Sequence, residues 1–84
     1  MQRAMLYVRG DNTEAQRAIC EAYAKKNGFY IKGVTESLPQ AFERSVEYDV
    51  LITAGVTRIS RDKRNFDKII DMFEDEGITV IIAD

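Results

Sequence analysis

Apolar positions along the chain fall into short continuous runs separated by longer stretches with helical spacing. The runs "AMLYVR" (4–9), "FYIKGV" (29–34), "DVLITAG" (49–55) and "ITVIIAD" (78–84) are rich in strand-forming residues and predict four β-strands. The last two runs are almost continuously apolar, which is typical of strands that are covered on both faces. The pattern therefore predicts a sheet that is buried between two layers.

The segment after the first run, "TEAQRAICEAYAKKNG", predicts a helix. Thr13 and Gln16 match a capping box at its start, and Gly28 is a typical residue to end it. An amphipathic helix turns its apolar face towards the core. The apolar residues that share one face of this helix are Ala15, Ala18, Ile19, Ala22 and Tyr23.

Two more helices are predicted between the later runs. Ser37, followed by Pro39, starts a short helix over about 39–47. The stretch "VTRISRDKRN" (56–65) reads as a charged loop, and the helix after it ends at Gly77. The apolar face of that last helix contains Phe66, Ile69, Ile70 and Phe73.

Strands and helices thus alternate along the chain as β-α-β-α-β-α-β. Because crossovers between parallel strands are right-handed, this order predicts an α/β fold of three layers. We expect a four-stranded, mostly parallel sheet in the order 2-1-3-4, with helices on both faces. A chain of 84 residues supports one domain, which we expect to span residues 1–84.

The composition of the chain argues against several classes of protein and of binding site. No apolar run approaches the ~20 residues of a membrane span, and no signal sequence opens the chain, so we expect a cytoplasmic protein without a membrane partner. Cys20, the one cysteine, fits a reducing compartment and reads as a buried, inert thiol. Without histidine or a cysteine cluster, neither a metal site nor a cofactor is expected. The net charge of −2 argues against strong independent DNA binding but leaves room for a local basic patch.

Two loops that follow strands carry the candidate chemistry. Arg9 and Asp11 follow the first strand, and Arg58 and Arg61 follow the third. If these strands are neighbours, the three arginines converge where parallel sheets usually bind ligands. Three guanidinium groups form an anion site best suited to phosphate. The alternative is that the basic residues are solvated, or that they pair with Asp11 and Asp62.

Taken in order, these motifs resemble a known family. "YVRGD" before a helix, "TRISR" after an apolar strand, and an amphipathic helix before "GITVII" resemble the N-terminal catalytic domain of serine recombinases, the resolvases and invertases. That family has Tyr-x-Arg-x-Ser at the end of its first strand and Asp-Arg-Leu-x-Arg after its third. The resemblance covers nearly all of the chain.

The resemblance implies a chemistry for each motif. In the family, the serine hydroxyl attacks a DNA phosphodiester, while the arginines hold the phosphate and stabilise its developing charge. It therefore implies phosphate-binding roles for Arg9, Arg58 and Arg61, with the other matching residues in support. The matching residues are Tyr7 and Arg9 in the first motif, and Arg58, Ile59, Ser60 (at the variable position) and Arg61 in the second.

Three departures from the family pattern bear on activity. Asp11 occupies the position of the nucleophilic serine, Thr57 replaces the aspartate of the second motif, and Leu38 replaces an arginine before Pro39. Attack by Asp11 would produce an acyl phosphate, and a carboxylate ~4 Å from a phosphate costs about 4 kcal/mol at an effective dielectric of 20. We expect Asp11 to pair with the arginines instead. Ser60 lies in the right loop to substitute as nucleophile, but capping the next helix is its ordinary role.

Two main hypotheses follow from these observations. The first is a resolvase-like domain that is catalytically inactive and works as a binding or interaction module. Its partner would be a protein, a second copy, a recombinase, or, weakly, DNA phosphates. The second is a fragment or subunit of a serine site-specific recombinase that takes part in DNA strand exchange, as in mobile elements. Neither includes a helix-turn-helix DNA-binding domain within 84 residues.

A third hypothesis is a phosphorylated receiver domain, because Asp11 follows the first strand. A receiver also needs a phosphorylatable aspartate at the end of the third strand, where "ITAGVT" contains none. The sequence therefore disfavours a receiver domain.

Overall fold

A parallel sheet forms the centre of the protein, whose computed structural model describes residues 2–83. Within these residues the strands are ordered β2-β1-β3-β4. This confirms the predicted fold class and strand order. Asp84, which ended the predicted fourth strand, lies outside the described residues. The strands are β1 (Arg3–Tyr7), β2 (Tyr30–Thr35), β3 (Val50–Thr53) and β4 (Thr79–Ile82).

Helices cover both faces of the sheet, as predicted. One face of the sheet packs against α1, and the other packs against α2 and α4. Among the described residues, no helix is both long enough and apolar enough to cross a bilayer. The helices are α1 (Thr13–Lys26), α2 (Leu38–Glu43), α3 (Val56–Ile59) and α4 (Lys63–Asp75), and a 3-10 turn (Ser45–Glu47) follows α2.

The core has two halves, one on each side of the sheet. On the α1 side, Cys20 and Ala24 pack against Leu6 and Ile52. Burial raises the pKa of the Cys20 thiol to about 11, because a thiolate loses its hydration there. The thiol is buried, as predicted. On the other side, the buried residues are Met5, Tyr7, Ala41, Tyr48, Leu51, Ile59, Phe73 and Ile78.

Helix α1 differs from the prediction in its start and in its buried face. Its N-cap is Asn12, which has a left-handed conformation (φ 59°) and makes no side-chain capping bond, so the predicted capping box is wrong. The buried residues are Gln16, Cys20 and Ala24. The reason is that Gln16 points inward to bond the preceding loop, which sets the rotation of the helix. The face predicted from apolar residues is therefore largely exposed, at Ala15, Ala18, Ile19 and Ala22.

Helix α2 starts as predicted but ends early. The Ser37 hydroxyl accepts a hydrogen bond from the Gln40 backbone N–H at 3.3 Å, and Pro39 lies in the first turn. The predicted helix over 39–47 instead ends at Glu43 and continues as the 3-10 turn.

The predicted charged loop 56–65 contains two helical segments. Helix α3 occupies its first four residues, and α4 begins at Lys63. The Asp62 carboxylate caps α4 by accepting a hydrogen bond from the Arg64 backbone N–H at 3.0 Å. A single helical turn is too short to show a hydrophobic period, which explains why the sequence pattern did not reveal α3.

Candidate anion-binding site

A polar pocket of about 380 Å³ lies between the loop after β1 and the segment after β3, which comprises α3 and the turn that joins it to α4. Because β1 and β3 are adjacent, both segments leave the same edge of the sheet. Arg9, Arg58 and Arg61 are brought together here, as the strand order predicted. The lining residues are Arg9, Gly10, Thr57, Arg58, Ile59, Ser60, Arg61 and Asn65.

Gln16 holds the loop after β1 in shape. Its Oε1 accepts a hydrogen bond from the Arg9 backbone N–H at 3.0 Å, and its Nε2 donates to the carbonyl oxygens of Arg9 and Asp11, each at 2.8 Å. The residue is only 3% exposed. Sequence reasoning missed this role, although the spacing of Gln16, Cys20 and Ala24 was a usable signal. A buried glutamine with three bonds to one loop fixes the backbone that carries Arg9.

Gly10 allows Arg58 to approach this loop. Its φ of 81° favours glycine, and a Cβ placed there would lie 3.3 Å from Arg58 Nη1. That same Nη1 donates a hydrogen bond to the Arg9 carbonyl oxygen at 3.3 Å. Arg58 thus links the two walls of the pocket.

Ser60 is engaged in the turn before α4. Its hydroxyl accepts hydrogen bonds from the Asp62 backbone N–H (3.1 Å) and from Asn65 Nδ2 (3.2 Å). It also lies 3.2 Å from the Asp62 carbonyl oxygen, to which it donates. The hydroxyl is therefore occupied by hydrogen bonds within this turn. Asp62, two residues later, caps α4. Asn65 also lines the pocket, and sequence reasoning did not identify it.

The pocket arginines have no acidic partner in the part of the chain that the structure describes. Neither Arg9, Arg58, Arg61 nor Asp11 takes part in an ion pair there, so the predicted pairing with Asp11 is wrong. Asp11 is exposed and does not line the pocket, because the loop turns it towards solvent. The ion pairs observed are Arg3–Asp49 (3.2 Å), Arg17–Glu21 (3.5 Å) and Arg44–Glu47 (3.1 Å).

Tyr7 does not line the pocket. It is 1% exposed and belongs to the same core cluster as Ile59, which does line it. Tyr7 therefore contributes packing beneath the site rather than a contact to a bound anion. Across residues 2–83, no group of three histidine, cysteine or acidic side chains is placed to hold a metal ion.

Comparison with known proteins locates the fold. No protein-family profile and no curated protein sequence matches this chain. Among solved structures, a resolvase family site-specific recombinase from Streptococcus pneumoniae is similar over 99% of this chain and 72% of its own, with a TM-score of 0.89 and 17% identity.

A second solved structure has a similar fold. It is the C-terminal catalytic domain of ISC1926 TnpA, described as an IS607-like serine recombinase. The similarity covers 98% of this chain and 70% of that one, with a TM-score of 0.87 and 20% identity. The chain therefore has the fold of a serine recombinase catalytic domain, as the motif resemblance implied.

Proposed function

We propose that this domain binds the DNA backbone at the arginine pocket and does not itself cleave DNA. The observation that carries the proposal is the convergence of Arg9, Arg58 and Arg61 on one pocket without an acidic partner among the described residues. Three guanidinium groups with no internal counter-charge attract an anion, and their planar donors suit phosphate oxygens.

Two features support the absence of cleavage. Asp11 stands where the resemblance places the nucleophile, and its exposed side chain is outside the pocket lining. The Ser60 hydroxyl is held by Asp62 and Asn65, so attack on a phosphate would first require breaking those bonds. Neither side chain is placed as a nucleophile.

A second candidate function is a subunit of a site-specific recombinase that is active only in a larger assembly. The fold shared with recombinase catalytic domains and the three grouped arginines favour it. On this proposal the arginines bind the same phosphate, and a hydroxyl of another subunit in the assembly attacks it. One phosphorus–oxygen bond of the DNA breaks, and the departing DNA hydroxyl takes up the proton.

The test of phosphate binding is fluorescence anisotropy of a labelled DNA duplex across a salt series. We expect the Arg9, Arg58 and Arg61 triple alanine variant to bind at least tenfold more weakly than the natural sequence, with a shallower salt dependence. The matched control replaces Lys25, Lys32 and Lys68, which are exposed and outside the pocket, with alanine. It removes the same total charge.

Equal losses in the two triple variants would contradict the proposal, because net charge alone would then explain binding. So would an absence of binding by the natural sequence at low salt. A denaturing gel after incubation of this protein alone with a nicked duplex tests whether the domain itself cleaves DNA. We expect no covalent adduct, and an adduct would contradict the absence of cleavage.

A further inference from the structure

Strand β4 is an open edge strand of the sheet. In the part of the chain that the structure describes it pairs with β3 alone, through bonds such as that from the Thr79 N–H to the Asp49 carbonyl oxygen at 3.1 Å. Backbone groups alternate in direction along such a strand, so the N–H and C=O groups of Val80 and Ile82 point away from β3. These four groups have no protein hydrogen-bond partner among the described residues.

The other edge strand, β2, is protected against further pairing. Its register with β1 shifts between Ala4 and Met5, which leaves the exposed Lys32 without a partner in β1. A bulge and a charged side chain are two devices that keep an edge strand from pairing with another chain. Strand β4 has neither, because its sequence "TVII" is uncharged and its register with β3 is regular. The sheet is therefore closed to an added strand at β2 and open to one at β4.

We infer that β4 pairs antiparallel with β4 of a second copy, so that two four-stranded sheets join into one. A two-fold axis through Ile81 places Val80 of each copy opposite Ile82 of the other. Residues paired in this way exchange both of their backbone hydrogen bonds. All four outward groups of β4 are then satisfied, and the contact is the same on both copies, as a two-fold dimer requires.

The side chains of β4 suit this register. Val80 and Ile82 lie on the α4 face of the sheet, whereas Ile81 lies on the α1 face. In the dimer, Val80 meets Ile82 on the α4 face, and the two Ile81 side chains meet at the axis on the α1 face. All three side chains are partly exposed in the single chain. Pairing therefore buries apolar surface and sets no like charges opposite each other within the strands.

Helix α4 gives a second reason to choose a copy of this chain. Apart from the capping Asp62, its first turn carries Lys63 and Arg64, and its last turn carries Glu74 and Asp75 with no basic residue. The helix dipole favours the reverse arrangement, which α1 has. Because α4 packs over β4, the two-fold axis sets α4 antiparallel to its copy on the same face of the sheet. The basic start of each helix then lies beside the acidic end of the other.

Helical spacing places Lys63 and Glu74 on the same flank of α4. That flank faces away from α2, because Ile69 and Met72 on the other flank line the groove between α2 and α4. It therefore faces the open side of β4, where Lys63 of one copy approaches Glu74 of the other. Asp67 lies between them on this flank and has no opposite charge in the dimer. The two symmetric contacts favour the antiparallel arrangement.

The first test is sedimentation equilibrium of the natural chain over a concentration series, which should show a reversible dimer. Ile81→Lys sets two like charges at the axis, so we expect the dimer dissociation constant to rise at least tenfold. The matched control is Ile31→Lys, since Ile31 is also partly buried on the α1 face but lies in β2. It should leave the dissociation constant unchanged. Far-UV circular dichroism checks that both variants fold.

The second test changes only exposed charges, which the fold tolerates. Lys63→Glu places like charges at both symmetric contacts, and we expect the dissociation constant to rise at least threefold at low salt. Adding Glu74→Lys to Lys63→Glu restores opposite charges and should restore the dimer. Amide hydrogen exchange gives a third readout. The Val80 and Ile82 N–H groups should become protected as the protein concentration rises.

Three results would overturn the inference. They are a chain that stays monomeric at every concentration, a dimer that Ile81→Lys and Ile31→Lys weaken equally, and a dimer in which the Val80 and Ile82 amides stay unprotected. The last two would place the contact on another surface. The pairing residues do not line the arginine pocket, so the inference stands or falls independently of DNA binding.

Discussion

Arginine side chains at the two ends of the parallel strands, here called the amino edge and the carboxyl edge of the sheet, differ in whether they have an acidic partner. At the amino edge, Arg3 begins β1 and meets Asp49, with Arg3 Nη2 3.2 Å from Asp49 Oδ1. The Arg3 backbone N–H donates to the same carboxylate at 2.9 Å. At the carboxyl edge, Arg9, Arg58 and Arg61 meet in one pocket, and none of them forms an ion pair within residues 2–83.

The difference distinguishes a charged pair that stabilises the fold, which we call the structural charge, from charges that remain available to bind a ligand. Hydrogen bonds from the Arg3 side chain and backbone hold the pKa of the Asp49 carboxyl below its usual range, so that charge is satisfied within the fold. Parallel sheets bind ligands at the carboxyl ends of their strands, and there three arginines without an acidic partner among the described residues line one pocket.

The largest effect is expected from Gln16→Ala at the carboxyl edge. The change removes three hydrogen bonds and leaves partly buried backbone groups of the loop after β1 without their side-chain partner. We expect the free energy of unfolding to fall by about 2–3 kcal/mol in urea denaturation. DNA affinity should fall too, because Arg9 is no longer held.

Glu14→Ala is the control for this change, since it lies in the same helix and is exposed. It is expected to alter the free energy of unfolding by less than about 0.5 kcal/mol. Equal effects of the two substitutions would mean that helix content, rather than the loop, determines the loss.

A smaller effect is expected from Gly10→Ala, with Gly28→Ala as its matched control. Both glycines have positive φ, 81° and 72°, so each substitution should cost about 1–2 kcal/mol of unfolding free energy. Only at Gly10 does the new Cβ meet Arg58 Nη1, whereas at Gly28 nothing lies within 4 Å. Anisotropy measurements should therefore show weaker DNA binding for Gly10→Ala alone. The same loss in both variants would place the cause in stability.

Much of this fold could be predicted from hydrophobic pattern alone. Continuous apolar runs such as the one before Gly55 indicate buried parallel strands, and short connections with right-handed crossovers leave few strand orders. Helix rotation was harder to predict. In α1 a polar residue, Gln16, turns inward because its bonds to the loop outweigh the burial of Ala15, Ala18 and Ala22. Alanine gains little from burial, so its pattern is a weak guide.

The sequence predicted the arginines of the candidate site but not Gln16, which holds the loop that carries Arg9. Arg9, Arg58 and Arg61 could be grouped because strand adjacency brings their loops together. The expected pairing of Asp11 failed because side-chain direction in a loop depends on backbone conformation, here left-handed at Gly10 and Asn12. Sequence spacing does not report such angles.

The smallest effect is expected at the amino edge, where Asp49→Asn should make stability depend less on pH. The depressed pKa of Asp49 means that its ion pair stabilises the fold at pH values above the carboxyl's ordinary value near 4. That contribution is lost as the pH falls through the lower value of the folded state. Urea midpoints of the natural sequence and of Asp49→Asn should therefore differ at pH 7 and converge towards pH 2.

The same pair supplies its own control, because the cause assigned to the shift is Arg3. In an Arg3→Ala background, Asp49→Asn should lose most of its pH-dependent effect, as a double-mutant cycle would report. DNA affinity should be unchanged in all three variants, since neither residue lines the pocket. A fall in affinity on losing Asp49 would show that the two edges are coupled, and the separation between structural and available charge would then not hold.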